Sequence, residues 1–331
     1  MPVKHPPCNP EIWGGIECTI TRIGDTYRDQ LSLSGHYSRS SDIDELADLG
    51  IRTIRYPLLW ERQQPDLATA IDWSWPDTRL AALRDRQMTP IVGLLHHGSG
   101  PAFTQLDDPG FAEHFAAYAG AVAARYPWIE NYTPINEPLT TARFCGLYGL
   151  WHPHQRSAVE FLNMMLNQMK GIVAAMKAIR KINPAAKLVQ TEDLAKTHSK
   201  PSLAYQADFE NQRRWLTFDI LCGKVDPSHP LWEYLLYAGI EADRLFYFVE
   251  NPCIPDILGI NYYVTSERYL DDEVQQYACE THGGNGRHAY ADVEAVRVFE
   301  QDGLSVLLRE LDDRYDLPIA LTEVHLNCTR E

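Results

Sequence analysis

Basic residues are the scarce class in this chain. Across 331 residues, 30 Lys and Arg stand against 45 Asp and Glu, a net charge of −15. Nucleic acids and anionic membrane surfaces demand a basic face, so neither is expected as a partner. A neutral substrate fits better, because the overall field matters little to it. Long apolar runs are also missing: none approaches the roughly 18 residues of a membrane span. The start, Met1-Pro2-Val3-Lys4-His5-Pro6-Pro7-Cys8, has no apolar stretch behind a basic cluster, so no signal peptide is expected. Cysteine is sparse, with seven residues (Cys8, Cys18, Cys145, Cys222, Cys253, Cys279 and Cys328), scattered and without a CxxC. That pattern argues against a disulfide framework or a structural zinc, and predicts reduced thiols in a cytoplasmic protein. Internal repeats, low-complexity tracts and domain linkers are absent too, so residues 1–331 read as a single domain.

What is present suits one large barrel or two ordinary domains: 45% of residues are hydrophobic and 23% charged, which excludes wholesale disorder. Apolar, β-favouring runs alternate with helical patterns, the signature of a parallel sheet built from β-α units. Strands are expected at Glu11–Cys18, Arg52–Leu59, Pro90–His96, Ile129–Asn136, Lys187–Thr191, Asp256–Tyr262 and Leu317–Glu323. Helices are expected near Ser41–Leu49, Asp77–Gln87, Pro109–Arg125, Ser157–Ile182, Leu203–Leu221 and Gly303–Tyr315. Ser41 ahead of Asp42 and Asp44 reads as a helix start, and Gly50 as its C-terminal cap. Residues 222–256 read as a β-α excursion, and residues 270–290 as a long mobile loop over one barrel face. The fold class is therefore α/β, a TIM-type (β/α)8 barrel lacking its eighth β/α unit in this chain, since seven strands are visible and eight are needed. A C-terminally truncated barrel would expose two strand edges, which predicts self-association through the open edge.

Two segments carry most of the chemistry. Thr133-Pro134-Ile135-Asn136-Glu137-Pro138 and Pro318-Ile319-Ala320-Leu321-Thr322-Glu323 are apolar runs that each end on a glutamate. A carboxylate at the end of a buried strand is costly to desolvate, so it usually has a purpose. A pair of them suits sugar cleavage, with one to protonate the leaving group and one to attack the anomeric carbon. In such barrels active groups sit at the C-terminal strand ends. Those positions hold Glu17 and Cys18, Arg55 and Tyr56, His96 and His97, Asn136 and Glu137, Glu192 and Asp193, Asn261 to Tyr263, and Glu323.

The chain resembles glycoside hydrolase family 1 at several of these points. Thr133–Pro138 looks like the family's T-x-N-E-P motif, whose glutamate is the general acid/base. Asp256-Ile257-Leu258-Gly259-Ile260-Asn261-Tyr262-Tyr263 resembles its D-F-L-G-I-N-Y-Y strand. Pro90-Ile91-Val92-Gly93-Leu94-Leu95-His96 resembles its third strand, and Ile51 to Trp60 its Y-R-F-S-x-x-W segment. Leu321-Thr322-Glu323 matches the I-T-E of its nucleophile strand. The resemblance implies that Glu323 is the nucleophile and Glu137 the acid/base of a retaining β-glycosidase, with carboxyls about 5–5.5 Å apart. It implies that Arg55 holds Glu323 ionised, that Tyr263 hydrogen-bonds it, and that Asn136 and His96 hold sugar hydroxyls. Asn261, Glu17 and Glu192 join these as candidate substrate-binding residues. No cofactor and no metal are implied, and the partner is a small-molecule carbohydrate.

The departures are as specific. Glu323-Val324-His325 replaces the family's E-N-G, the first strand carries no glutamine, and no eighth strand brings a tryptophan and glutamate to the sugar. These mark a divergent branch, similar to barrels fused ahead of a dTDP-4-dehydrorhamnose reductase-like domain. They also leave open a sugar-binding or regulatory barrel with impaired turnover.

Blander readings stand beside several residues. Glu137 precedes a proline and could begin a helix, Glu323 could be a solvated strand end, and Glu192 could line the pocket or cap the following turn. His96 and His97, adjacent on a strand, would point to opposite faces, and neither they nor His152 and His154 have a third ligand at metal spacing. Trp73 and Trp75 fit packing against the barrel wall better than sugar stacking. Met164, Met165 and Met169 read as core filler, and Gly283-Gly284-Asn285-Gly286 lacks the context of a phosphate loop.

Overall fold

The computed structural model describes residues 10–325, so Cys8, Cys328 and the first residues of the chain lie outside it. Seven parallel strands form a nearly closed barrel of the TIM type, an α/β fold, with helices on its outside. In chain order they are β1 (Trp13–Gly15), β2 (Thr53–Pro57), β3 (Thr89–His96), β4 (Asn131–Asn136), β5 (Lys187–Asp193), β6 (Ile257–Tyr263) and β7 (Ile319–His325). Each pairs in parallel with the next, in the order of the chain. The inner strands are buried on both faces, which is why they read as nearly continuous apolar runs rather than alternating ones.

The register is what assembles a site. His96 pairs with Asn136 across β3 and β4. Asp193 pairs with Asn261 across β5 and β6, and Asn261 with Glu323 across β6 and β7. Polar residues on five different strands thereby reach one level at the C-terminal rim, where loops gather in this fold. The β6–β7 register shifts between Leu321 and Glu323, an irregularity of the kind that re-aims a side chain.

The outer layer rests on helices Phe111–Arg125 and Ala158–Ile182. Phe111, Phe115 and Tyr118 of the first pack round the fully buried Trp60. Met164, Met165 and Met169 of the second are fully buried, as core filler should be. Trp75 stacks on Tyr56 at 5.9 Å and Trp73 packs edge-on to Tyr126, so both line the barrel wall. Helix Leu304–Tyr315 covers β6 through Leu307 and Leu311.

Several local expectations are corrected. Strand β1 covers only Trp13–Gly15. Ser41 lies inside its helix and Ser40 holds the cap position without a side-chain bond, while Gly50 at φ +89° does close the C-terminal end. The expected Leu203–Leu221 helix is two helices, Ala204–Arg213 and Leu216–Leu221. Residues 222–256 contain helices Trp232–Tyr237 and Ala242–Glu250 and no strand. The stretch 270–290 is no loose loop. His282–Gly284, Ala289–Glu294, Arg268–Asp271 and Thr197–Ser199 form a four-stranded sheet over the rim. Among the described residues, no helix is long and apolar enough to cross a membrane.

Candidate active site

Glu137 follows β4 in the left-handed region (φ +45°), with its N–H donated to Thr191 O at 3.2 Å and Thr141 N–H donated to its carbonyl at 2.8 Å. An L-residue held there by surrounding bonds is a strained position of the sort found at functional sites. The residue is only 3% exposed. Asn261 Nδ2 donates to its Oε1 at 2.6 Å, and His97 Nε2 lies 3.5 Å from its Oε2. Burial, then the facing charge of Glu323 and of Asp193 and Glu192, pushes the Glu137 carboxyl well above the usual range.

Glu323 is held the opposite way. Burial would raise it, but Arg55, whose Nη1 donates to Oε1 at 2.7 Å, then His96 in its charged form and the Tyr263 hydroxyl on Oε2, bring it down to about 2. His96 Nε2 lies 3.8 Å away, but burial pushes that imidazole well below its ordinary pKa, so it is neutral. The guanidinium and the phenol are therefore what keep Glu323 ionised.

Asn136 joins the two. Its Oδ1 accepts from Arg55 Nη2 (2.8 Å), Thr191 Oγ1 (2.7 Å) and Asn261 Nδ2 (3.2 Å). With the oxygen so occupied, Nδ2 is the end directed at His96 and His97, at 3.2 and 3.4 Å. Thr322 Oγ1 donates to Asn261 Oδ1 at 2.7 Å, fixing that amide too.

The sequence expectation about the histidines is corrected here. His97 lies beyond the end of β3 at φ +57°, which swings its ring back beside that of His96 with centroids 5.0 Å apart. Both rings face the site, and strand alternation hid His97. Glu192 is fully buried, and its oxygens accept from Leu139 N (2.9 Å), Thr140 N (3.3 Å), Thr140 Oγ1 (2.9 Å) and Thr217 Oγ1 (2.7 Å). It caps the short helix Pro138–Ala142 that follows Glu137, the capping alternative raised from sequence, and burial pushes its carboxyl up to about 7. Glu17 is exposed and accepts from Thr19 N at 2.8 Å. Ligand atoms of Glu17, His96 and Glu323 come within 4.8 Å of one another. That trio could reach a cation, although Arg55 already neutralises Glu323.

Two recesses meet at this cluster. One, about 800 Å³, is lined by Glu17, Arg55, His96 and Glu323; the other, about 510 Å³, by His97, Glu137, Arg143 and Trp151. Tyr263 lines both. Further cavities of about 770 and 600 Å³ lie against the hairpin Ile20–Ile23/Thr26–Asp29 and against helix Ala158–Ile182, and contain neither glutamate.

The chain has counterparts among known proteins. The profile of the family described as Glycosyl hydrolase family 1 matches residues 12–331. The aryl-phospho-beta-D-glucosidase BglC of Bacillus subtilis is 20% identical over 352 aligned residues, covering 95% of this chain and 72% of the relative. Beta-glucosidase A of Thermotoga maritima is 25% identical over 154 residues, 44% of this chain and 34% of the relative. The solved family 1 β-glucosidase from Thermotoga maritima superposes with a TM-score of 0.70 at 17% identity, over 87% of this chain and 66% of that one. The same enzyme in complex with glucoimidazole gives 0.71 at 17% identity, over 87% of this chain and 67% of that one. The chain thus spans about two thirds of the length of those solved enzymes.

Proposed function

The chain belongs to glycosyl hydrolase family 1, and from that premise we propose that it is a retaining β-glycosidase acting on a small carbohydrate. One observation carries this reading: two glutamates at the meeting of two recesses are biased in opposite directions, Glu323 toward carboxylate and Glu137 toward acid. Environments that drive two carboxyls apart assign a nucleophile and an acid. Glu323 attacks the anomeric carbon while Glu137 donates its proton to the departing glycosidic oxygen. Glu137, now ionised, then takes a proton from water as that water displaces Glu323.

In this scheme the sugar occupies the recess of Glu323 and the leaving group the recess of Glu137. Asn136 Nδ2 and neutral His96 meet sugar hydroxyls, and Glu17 lies at the outer edge of the same recess. Asn261 and Glu192 act through Glu137, the first on its carboxyl and the second on the helix behind it. The steps need no metal or cofactor, because Arg55 supplies the positive charge beside the nucleophile; turnover should be indifferent to EDTA. The sugar-like inhibitor glucoimidazole bound to the Thermotoga maritima relative is in keeping with a carbohydrate ligand.

Incubation with a panel of 2-deoxy-2-fluoro β-glycosides tests the reading. A mass gain mapped to Glu323, lost in Glu323→Ala, is expected. A label on any other residue removes the nucleophile assignment. A second reading, a sugar-binding barrel without turnover, is favoured by exposed Leu321 and Val324 beside Glu323, since among the described residues no strand pairs with the free edge of β7. Sugar binding with neither label nor turnover would select it.

A further inference from the structure

The polar groups of the Glu137 recess are nearly all engaged. Arg268 Nε donates to Asp292 Oδ1 at 2.7 Å, and Arg214 Nη2 to Glu310 at 2.5 Å. Asp193 accepts from Ala195 N and Ser266 Oγ, both at 2.9 Å. Glu210 accepts from Gln206 at 2.9 Å and Thr197 at 3.3 Å. Arg143 is the exception. It is half-buried and lines the recess together with Glu137; its side chain makes no hydrogen bond or direct ion pair among the described residues, although the charges of Asp193, Glu192 and Glu210 act on it through space. Its Nε is shielded from solvent without a partner. A guanidinium removed from water normally finds a carboxylate or carbonyl. The recess carboxyls Asp193, Glu210 and Asp292 bond other donors and reach Arg143 only through space, which leaves its guanidinium donors open to a further anion.

Beside it runs an aromatic shelf that starts at the acid/base. His97, 3.5 Å from Glu137, meets Trp151 edge-on at 5.4 Å. Trp151 stacks on Phe144 at 4.6 Å, and Phe144 meets Tyr148 at 5.8 Å. The rings lead from Glu137 to Tyr148, which is exposed. A flat, apolar body would lie along them.

We propose that the leaving group is an aromatic acid, its ring laid on Trp151 and Phe144 and its carboxylate held by Arg143. This rests on the glycosidase reading for the identity of the pocket as a leaving-group site, and adds the chemistry that the pocket selects.

The 4-carboxyphenyl and 4-carbamoylphenyl β-D-glucosides differ in charge but hardly in shape, and the amide is the better leaving group by electron withdrawal. The wild-type protein should nevertheless favour the acid in kcat/KM by about ten- to a hundredfold, the range of a charge-assisted hydrogen bond. Arg143→Gln should bring the ratio to about one, and Arg143→Lys, which keeps the charge but not the fork, should keep part of the preference. A ratio untouched by Arg143→Gln overturns the proposal; circular dichroism identifies a misfolded variant, for which the lysine variant then supplies the ratio. Calorimetric binding of free 4-hydroxybenzoate and 4-hydroxybenzamide separates the two readings. Acid-selective binding that depends on Arg143, with no glycoside turned over, upholds the pocket and sinks the hydrolase. Equal binding of acid and amide sinks the pocket whatever the turnover.

Discussion

Arg55 on β2 and Glu323 on β7 lie 268 residues apart in the chain, yet Nη1 of the one donates to Oε1 of the other at 2.7 Å. The same nitrogen donates to Thr322 O at 3.1 Å, and Nη2 reaches Asn136 Oδ1 at 2.8 Å on β4. A single guanidinium therefore ties three strands, bridges the side of the barrel where β1 and β7 are not paired, and sets the charge of the proposed nucleophile.

A planar fork can make those bonds at once, and an ammonium cannot. Arg55→Lys should leave a positive charge near Glu323 but release Asn136, so kcat/KM should fall by about a hundredfold or more. The carboxylate, less well held, should also titrate higher. Acid-side pH–rate profiles check both effects; an unchanged acid limb would show that a positive charge beside Glu323 depresses it equally well without the fork.

Glu137 gives the opposite limb. Its pKa is raised in the folded protein, so its proton, needed for protonating the leaving group, is present at low pH and lost as pH climbs through the raised value. Glu323 must be ionised, and is so above about 2. The profile of kcat/KM should be a bell whose acid side lies unusually low and whose alkaline side lies well above an ordinary glutamate. Glu137→Gln should abolish the alkaline limb and cost about 10²–10⁴-fold with a poor leaving group, less with an activated aryl one. Retention of the alkaline limb in that variant would assign it to another residue.

The strands and both glutamates were readable because each strand end is a sharp switch from an apolar run to a carboxyl or amide, as at Ile135-Asn136-Glu137 and Leu321-Thr322-Glu323. Arg55 and Tyr263 came from motif likeness, and the contacts agree with it. His97 was not readable, because strand alternation holds only while φ stays negative and nothing local announces its left-handed backbone. Residues 270–290 misled because Gly283 and Gly284 look like loop: they pair with Ala289 and Tyr290 in a local hairpin, which is held in a sheet by the pairing of Ala289–Glu294 with Arg268–Asp271. Arg143 carried no signal, since its significance lies in what fails to meet it.

Gly259 in β6 tests how tightly the amides are held. A Cβ there would lie 2.6 Å from Thr191 Cγ2, 3.0 Å from Gln190 O and 3.0 Å from Thr322 Oγ1. Those two threonines donate to Asn136 and Asn261 respectively, beside Arg55 and Asn261 in the case of Asn136. Gly259→Ala should destabilise by about 1–3 kcal/mol, as overpacking does, and lower kcat by moving both asparagines. Thermal melting and kcat measured together check this; a lower melting temperature with kcat intact would mean that β6 shifts as a body and carries Asn261 with it.

Glu192 offers a test through pH. Its folded pKa of about 7 lies above the ordinary 4.5. A raised carboxyl contributes stability that is complete below the unfolded value and is lost as pH rises through the folded one. The window is therefore pH 4.5 to 7, with wild-type stability declining across it on account of this group. Glu192→Gln does not titrate. It also turns an amide NH₂ toward donors that the carboxyl oxygens now accept, Leu139 N–H among them, and one buried N–H left unpaired costs about 1–3 kcal/mol. The variant should melt below the wild type at pH 5, and the gap should narrow by pH 8 as the wild type loses its share. A gap that stays constant from pH 5 to 8 would mean that Glu192 is ionised throughout and that its carboxylate charge, rather than its hydrogen bonds, secures the helix behind Glu137.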